Sequence, residues 1–173
     1  MSTKLNVPDG IKTEVAGDKI IVSGPKGTVE RKFPVRNLTI KAAGGEIELS
    51  AERLALENTF VAHIRNMLRG VVEPFTYKLK IAYVHFPMTA SIQNLEFSIT
   101  NFLGERRPRK ARLPKGVDVK IDGEFITVTS PDIELAGKAA TLIEQLTRIS
   151  ARDRRTFLDG IFMVEKPGVT ISA

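Results

Sequence analysis

The clearest pattern of apolar and polar positions lies in the second half of the chain. Val117, Val119 and Ile121 alternate with polar residues, a turn glycine follows, and a second β-rich run begins at Phe125 or Ile126. Alternation with a period of two is typical of a strand that buries one face, and a glycine after such a run is typical of a turn. The segment is therefore predicted to form a β-hairpin.

The same pattern occurs 106 residues earlier and aligns without a gap. Residues 7–25 align with residues 113–131, and six positions of the alignment are identical. The identical pairs are Pro8 with Pro114, Gly10 with Gly116, Gly17 with Gly123, Ile20 with Ile126, Val22 with Val128, and Pro25 with Pro131. Such a repeat predicts two copies of one structural unit.

Each hairpin leads, directly or after further strands, into one long amphipathic helix. The first helix is predicted from about residue 52 to residue 72 with Ser50 as its N-cap, and the second begins after Pro131 with Asp132 as its cap. The buried face of the first helix is expected to consist of Phe60, Val61, Ile64, Met67, Leu68 and Val71, and its solvent face of Arg53, Glu57 and Arg65. The second helix is expected to bury Ala136, Ala139, Ala140, Ile143 and Leu146.

Strand-like runs fill much of the remaining sequence. They lie at 28–33, 38–42 and 46–50 before the first helix, and at 75–86 and 90–101 after it, the last two joined by a short turn at Pro87. Because strands and helices segregate within each half, the fold class is predicted to be α+β. We expect two tandem, internally duplicated domains, each a small, mostly antiparallel sheet packed against a long helix. A boundary near Pro74 gives an N-terminal domain of residues 1–74 and a C-terminal domain of residues 75–173.

Composition limits the classes of protein to which the chain can belong. It has 173 residues, of which 42% are hydrophobic and 27% are charged, close to the averages of globular proteins. The absence of cysteine excludes disulfides, thiolate metal sites and a cysteine nucleophile. The start of the chain lacks the pattern of a signal peptide, and no apolar stretch approaches the ~20 residues that span a bilayer. We therefore expect a cytoplasmic protein with no membrane partner.

Positive charge is concentrated in two segments of the second half. The whole chain carries a net charge of +6. Residues 106–115 contain six basic and no acidic side chains, and residues 148–155 contain four basic and one acidic, so the rest of the chain sums to −3. Compact basic clusters are typical of a surface that binds phosphate groups. The candidate residues are Arg106, Arg107, Arg109, Lys110, Arg112, Lys115, Arg148, Arg152, Arg154 and Arg155.

The two basic segments are expected to differ in local structure. Pro108 and Pro114 exclude a helix for the first segment, and Gly104 favours a loop from which arginines reach several phosphates. The second segment starts where the second helix ends, which leaves open that its arginines only compensate the helix dipole. Ser150 is expected to cap a further short helical turn. Because aromatic residues make up 6% of the chain and no strand interleaves them with basic residues, recognition is expected through RNA backbone and shape.

No pattern typical of an enzyme or a metal site occurs in the sequence. His63 and His85 have no histidine or carboxylate at a metal-ligand spacing. Lys26 lies between two glycines, but the phosphate-binding pattern of nucleotide hydrolases is absent, and a plain turn is favoured. The pair of Asp159 and Gly160 is typical of a turn. We therefore predict no catalytic residue, no metal site and no cofactor.

Three segments resemble a known family. They are HFPMTASIQ at 85–93, NFLGERRPRKARLPKGV at 101–117 and QLTRISARDRRTFLDGIF at 145–162. The sequence resembles the universal large-subunit ribosomal protein six family, called nine in eukaryotes, in its archaeal and eukaryotic branch. The resemblance covers essentially the whole chain, and Phe162 departs from the tyrosine that is usual in that branch.

The resemblance implies a role inside the ribosome. It implies that the second domain binds large-subunit rRNA beside the sarcin-ricin loop and the stalk base, where translation factors dock. Neighbouring ribosomal proteins of the large subunit and the stalk base are further implied partners. Both basic segments are then expected to face the rRNA with Lys166 near them, and Lys26 is a weaker candidate in the N-terminal domain.

Two alternatives remain open from the sequence. A free-standing RNA-binding regulator of the same fold would carry both basic segments but would sediment apart from ribosomes. An enzyme that acts on a phosphate metabolite would line a pocket with the same residues. It would also need a convergent acid or base, which the sequence does not offer.

Overall fold

The described residues form 14 strands and two long helices. The structure is a computed structural model, and it describes residues 2–8, 10–17, 19–33, 38–43, 45–51, 53–150, 152–153 and 155–171. The elements of the first half are β1 (Ser2–Asn6), β2 (Lys12–Ala16), β3 (Lys19–Gly24), β4 (Gly27–Lys32), β5 (Leu38–Ala43), β6 (Glu46–Ala51) and α1 (Leu54–Val72). Those of the second half are β7 (Phe75–Ala82), β8 (Thr89–Gln93), β9 (Glu96–Thr100), β10 (Arg109–Arg112), β11 (Asp118–Asp122), β12 (Phe125–Ser130), α2 (Ile133–Leu146), β13 (Gly160–Lys166) and β14 (Val169–Thr170).

The chain divides into two units, each with its own sheets and helix. The first unit comprises residues 1–74 and 131–133, and the second comprises residues 75–130 and 134–173. The first unit holds two sheets, in the strand orders β1-β6-β5 and β2-β3-β4, and the second holds β11-β12-β7-β13-β14 and β10-β9-β8. Every pair of neighbouring strands in the described residues is antiparallel. The predicted α+β class is confirmed, with two small sheets in each unit.

The sequence repeat reappears in the geometry of the two hairpins. Strand β2 pairs with β3 in the same relative register as β11 pairs with β12. Gly10 and Gly116 both have a φ of 86°, and Gly17 and Gly123 have φ values of 60° and 57°, a region that glycine enters without strain. The equivalent core residues with no exposed surface are Ile20 with Ile126 and Val22 with Val128. The predicted hairpin in each copy is confirmed.

Helix α1 confirms the predicted apolar face but corrects two details. The six residues expected to be buried are all buried. The helix begins after Arg53, which makes no side-chain capping bond, and Ser50 lies in β6, so the predicted cap is wrong. Glu57 does not face water either, because it is 1% exposed and accepts a hydrogen bond from Thr3 Oγ1 in β1. The apolar pattern predicts neither β1 nor its packing over the start of this helix. The first predicted helical position, Glu52, lies outside the described residues.

Helix α2 follows Asp132 directly, where its cap is predicted, and ends at Leu146. The buried side chains are Ala136, Ala139, Ala140 and Ile143, while Leu146 is half-buried against the same core. The capping hydrogen bond of Asp132 remains a prediction.

The strand-like runs after Pro74 are shorter than predicted. Strand β7 ends at Ala82, and the run 90–101 is a hairpin of β8 and β9. Its turn is formed by Asn94 and Leu95, with φ values of 48° and 66°. Two residues with positive φ are typical of a type I′ hairpin turn, but leucine gives no sequence signal for one. The single long strand predicted there is therefore wrong.

The turn between β3 and β4 is fixed to the end of α1. A Cβ atom on Gly24 would lie 2.8 Å from both Cβ and Cγ2 of Val71, so only glycine fits against the helix there. The amide of Lys26 donates a hydrogen bond to the carbonyl oxygen of Val71 at 3.0 Å. This turn therefore has a structural role, which agrees with the plain turn favoured by the sequence.

We predict that Gly24→Ala destabilises the first unit. The added methyl group overlaps Val71 in a packed contact, which typically costs about 1–3 kcal/mol. Urea unfolding measures the loss, with Ser23→Ala as the control because Ser23 only accepts an exposed hydrogen bond from Thr28. Equal stability of the two variants would contradict this account of the turn.

Candidate nucleic-acid interface

The first basic segment, residues 106–115, is not the loop that its prolines suggest. Residues 109–112 form β10, which pairs with β9 alone at the edge of a three-stranded sheet. Pro108 and Pro114 flank this short strand instead of interrupting it, and prolines are tolerated beside edge strands. The predicted loop is therefore corrected to a strand with a loop on either side.

Among the predicted site residues, Arg109 makes the most side-chain hydrogen bonds. Its Nε and Nη2 atoms donate to Glu105 at 2.8 and 2.6 Å, and its guanidinium lies 4.3 Å from the centre of the Phe102 ring. Its Nη1 atom donates to the carbonyl oxygens of Leu146 at 2.7 Å and of Arg148 at 3.2 Å. Arg109 therefore joins the first basic segment to the start of the second.

Glu105 interacts electrostatically with one arginine of each basic segment. The hydrogen bond from Arg109 lowers the pKa of Glu105 most strongly, and burial opposes this shift. The positive charges of Arg109 and Arg152 lower the pKa of Glu105 further, so it stays below the ordinary value. Arg152 belongs to the second segment. We call the group formed by Glu105, Arg109 and Arg152 the junction.

The other cations of the two segments differ in whether their side chains have ionic partners. Lys110 Nζ lies 2.7 Å from Glu96 Oε1, and Arg155 Nε lies 3.4 Å from Asp153 Oδ1, all on exposed side chains. The exposed cations that form no ion pair or hydrogen bond with the described residues through their side chains are Arg106, Arg107, Arg112, Lys115 and Arg148. Arg154 lies outside the described residues.

The first segment runs alongside helix α2. Arg109 contacts the C-terminal end of the helix, whereas Gly116 lies close to Leu135 in its first turn. Because Leu135 and Leu146 are 11 residues apart along the helix, the two contacts are about 16 Å apart. The cations of the first segment are thus spread along a line rather than gathered at one point.

In the second segment, residues 148–155, the structure describes residues 148–150, 152–153 and 155, and these form no helix. The helical turn predicted after Ser150 includes residues outside the described ones and stays a prediction. The carbonyl oxygen of Asp153 accepts bonds from the amides of Thr156 and Phe157. Its side chain accepts a bond from the amide of Arg155 at 2.9 Å. Aspartate commonly stabilises turns in this way.

Lys166 lies at the end of β13 in the second unit, and Lys26 lies in a turn of the first unit. Strand β13 starts beside α2, where the Ile161 amide donates to Thr147 Oγ1 at 2.9 Å, and Lys166 is its last residue. Five residues of strand place Lys166 about 16 Å beyond Ile161, and its expected position near the basic segments stays a prediction. Lys26 is exposed in the turn of the first unit.

Asp159 has a structural role that the sequence does not predict. Its side chain is 1% exposed. The carboxylate accepts hydrogen bonds from the amides of Val84 and His85, at 2.8 and 3.2 Å. It also lies 3.1 Å from His85 Nδ1. Burial is the largest effect on the pKa of Asp159 and raises it, but these hydrogen bonds and the charge of His85 together lower it below 3.8. The Asp159 side chain thus fastens the loop after β7 to the segment before β13. Its only sequence signal is a carboxylate within the apolar run FLDGIF.

Both histidines have structural contacts. His63 lies beside Arg31 and the Phe33 ring, and His85 lies beside Asp159 and the Phe157 ring. In the part of the chain that the structure describes, no cluster of three or more metal-ligating side chains occurs. None of the described helices is long and apolar enough to cross a membrane.

We predict that Arg109→Lys destabilises the second unit by about 1–3 kcal/mol, because a lysine cannot reproduce the bidentate pair and the two carbonyl contacts together. The matched control is Arg107→Lys, which changes an exposed arginine with no partner among the described residues. Unfolding in urea compares the two variants. Unfolding of both variants at the same urea concentration would contradict the structural role of Arg109.

We predict that Asp159→Asn lowers the stability of the second unit at neutral pH by about 1–3 kcal/mol. Because the pKa of Asp159 is lowered in the folded state, its stabilising effect is present above pH 3.8 and is lost as the pH falls through the folded pKa. The gap between wild type and variant should therefore narrow below pH 3.8. Thermal unfolding across acid pH measures it, with the exposed Asp118→Asn as the control. A gap that widens in acid would contradict the assignment.

Comparisons with known proteins identify the family. A family model described as "Ribosomal protein L6" matches residues 86–160. A large ribosomal subunit protein uL6 from Desulfurococcus amylolyticus is 40% identical over 174 residues, covering 96% of this chain and 95% of the relative. Proteins of the same name are 39% identical in Ignicoccus hospitalis, covering 92% of this chain and 91% of the relative, and 36% identical in Natronomonas pharaonis, covering 96% and 97%. The identity and the coverage together show that the chain belongs to the family of the large ribosomal subunit protein uL6.

Proposed function

We propose that this structural constituent of the large ribosomal subunit binds large-subunit rRNA through its second unit and catalyses no reaction. The observation that carries the proposal is the junction, where Arg109 joins two basic segments through its own hydrogen bonds. Exposed cations remain beside it without ionic partners among the described residues. Folded RNA supplies the negative charge that such a surface requires.

The unpaired cations are the primary phosphate ligands in this proposal. Arg106, Arg107 and Arg148 flank the junction, and Arg112 and Lys115 extend the surface along α2. Lys110 and Arg155 can exchange their exposed carboxylate partners for phosphate, since exposed ion pairs contribute only about 0–1 kcal/mol. Arg154 and Lys166 are further candidates, and Lys26 is a weaker candidate in the first unit.

The location of the site in the subunit is proposed from the family resemblance. We place the second unit beside the sarcin-ricin loop and the stalk base, near neighbouring ribosomal proteins and docking translation factors. Residues 1–74 and 75–173 would act as separate domains in the cytoplasmic ribosome, with the second as the main rRNA-binding domain. Support comes from the names of the relatives, which are large-subunit proteins, and from the charge of the second half.

We predict that the triple variant Arg106→Ala, Arg107→Ala, Arg148→Ala binds a large-subunit rRNA fragment more weakly and with less dependence on salt. Each lost phosphate contact should reduce the slope of log affinity against log salt by about 0.7–0.9. The total reduction is therefore about 2–3. Arg109 is left intact because its removal would disturb the fold of the junction.

The control for this prediction removes three exposed lysines of the first unit, Lys12, Lys32 and Lys41. This control variant changes the net charge by the same amount as the triple variant. Its affinity for the rRNA fragment and its salt slope should fall less than those of the triple variant. Equal behaviour of the two variants would contradict the proposed site. Sedimentation in high salt separates the alternatives, because a free-standing regulator would leave the large subunit and a structural constituent would stay.

A further inference from the structure

Exposed apolar and aromatic side chains lie in the loop after β7 and in the segment before β13. Those of the loop after β7 are Tyr83, Val84 and Phe86, with 45%, 67% and 40% of their surface exposed, and Leu158 of the following segment is 56% exposed. An exposed group of this kind commonly marks a binding surface. The sequence gives no sign of it, because the two segments lie more than 70 residues apart.

Asp159 holds this surface in place. Its carboxylate binds the amides of Val84 and His85, so the loop and the segment before β13 have a fixed relative position. The Phe86 ring lies against Gly104, since a Cβ atom there would be 3.5 Å from two of the ring carbons. Gly104 directly precedes Glu105 of the junction. The aromatic loop therefore lies next to the first basic segment.

Two aromatic rings also connect the loop to the second basic segment. The His85 ring is 5.2 Å from the Phe157 ring, with 36° between their planes, and the Arg152 guanidinium is 4.9 Å from the centre of Phe157. The His85 side chain keeps 39% of its surface exposed. Rings and guanidinium groups of this kind stack on the bases of single-stranded RNA.

We propose that the rings of His85 and Phe86 hold one unpaired RNA base beside the junction, while Arg106, Arg107 and Arg152 contact the phosphates on either side of it. This inference rests on the proposed rRNA binding and refines it. The expectation of recognition by backbone and shape alone would then not hold at this position.

Charge favours RNA over a protein as the occupant. Two carboxylates of this region are already engaged, Asp159 by the loop amides and Glu105 by Arg109, while Arg106, Arg107 and Arg152 are exposed. A nucleotide offers a flat apolar base and an adjacent negative charge in one group. An apolar protein surface would leave the arginines without countercharge.

The test uses the full chain and two synthetic RNA hairpins, one fully paired and one with a single bulged 2-aminopurine. Wild type should bind the bulged hairpin about tenfold or more tightly, as expected for one stacked base, and should quench its fluorescence. Phe86→Leu and His85→Asn should lose this preference while binding the paired hairpin as before. The leucine keeps apolar volume, and the asparagine keeps a donor toward Asp159. Circular dichroism and thermal unfolding confirm that both variants are folded.

The control variant is Phe125→Leu, which removes another exposed aromatic ring of the same unit, on β12. A wild type without preference, or variants that keep it, would overturn the inference and leave rRNA binding intact. Equal loss in Phe125→Leu would also overturn it. Failure to bind either hairpin would count against the proposed function itself. Variants that bind both RNAs normally but leave the subunit more easily in salt would indicate a protein occupant, and thus also overturn it.

Discussion

The arrangement of the second unit depends on the contacts of Arg109. Its guanidinium joins Glu105 to carbonyl oxygens that lie 37 and 39 residues further along the chain. Two segments with a net charge of +9 would otherwise repel each other. The negative charge of Glu105 interacts favourably with both Arg109 and Arg152 and reduces this repulsion, while the carbonyl oxygens at the end of α2 favour a positive charge there. Segment 106–115 can therefore lie against the end of α2 without losing the charge that RNA binding would require.

Most of the fold could be predicted because its signals are local or repeated. The alternation of Val117, Val119 and Ile121 with polar residues predicts the hairpin of the second half. The 106-residue repeat predicts the same hairpin in the first half. The apolar faces of both helices follow from their periodicity, as the burial of Ile64 and Ile143 illustrates. Glu57 could not be predicted as buried, because its environment depends on β1, which comes from the distant N-terminus and has no strong strand pattern. The turn at Asn94 and Leu95 was missed because its residue types are not those that the backbone conformation favours.

The candidate site was only partly visible in the sequence. Charge clustering locates the basic segments, but it cannot distinguish Arg107 from Arg109, which have the same side chain two positions apart. The difference arises from tertiary partners, since Arg109 finds a carboxylate, a ring and two carbonyl oxygens and Arg107 finds none among the described residues.

Aromatic content proved a weaker guide than aromatic position. A fraction of 6% averaged over the chain says nothing about whether a ring and a cation come within a few ångströms of each other. Stacking on a base and contact with its phosphate require both groups in one place, and the buried Asp159 carboxylate provides that by binding the loop that carries His85 and Phe86. Its anchoring hydrogen bonds and the Arg109 contacts hold different parts of the same surface. A change at either one should therefore disturb the spacing of rings and cations even where no exposed residue is altered.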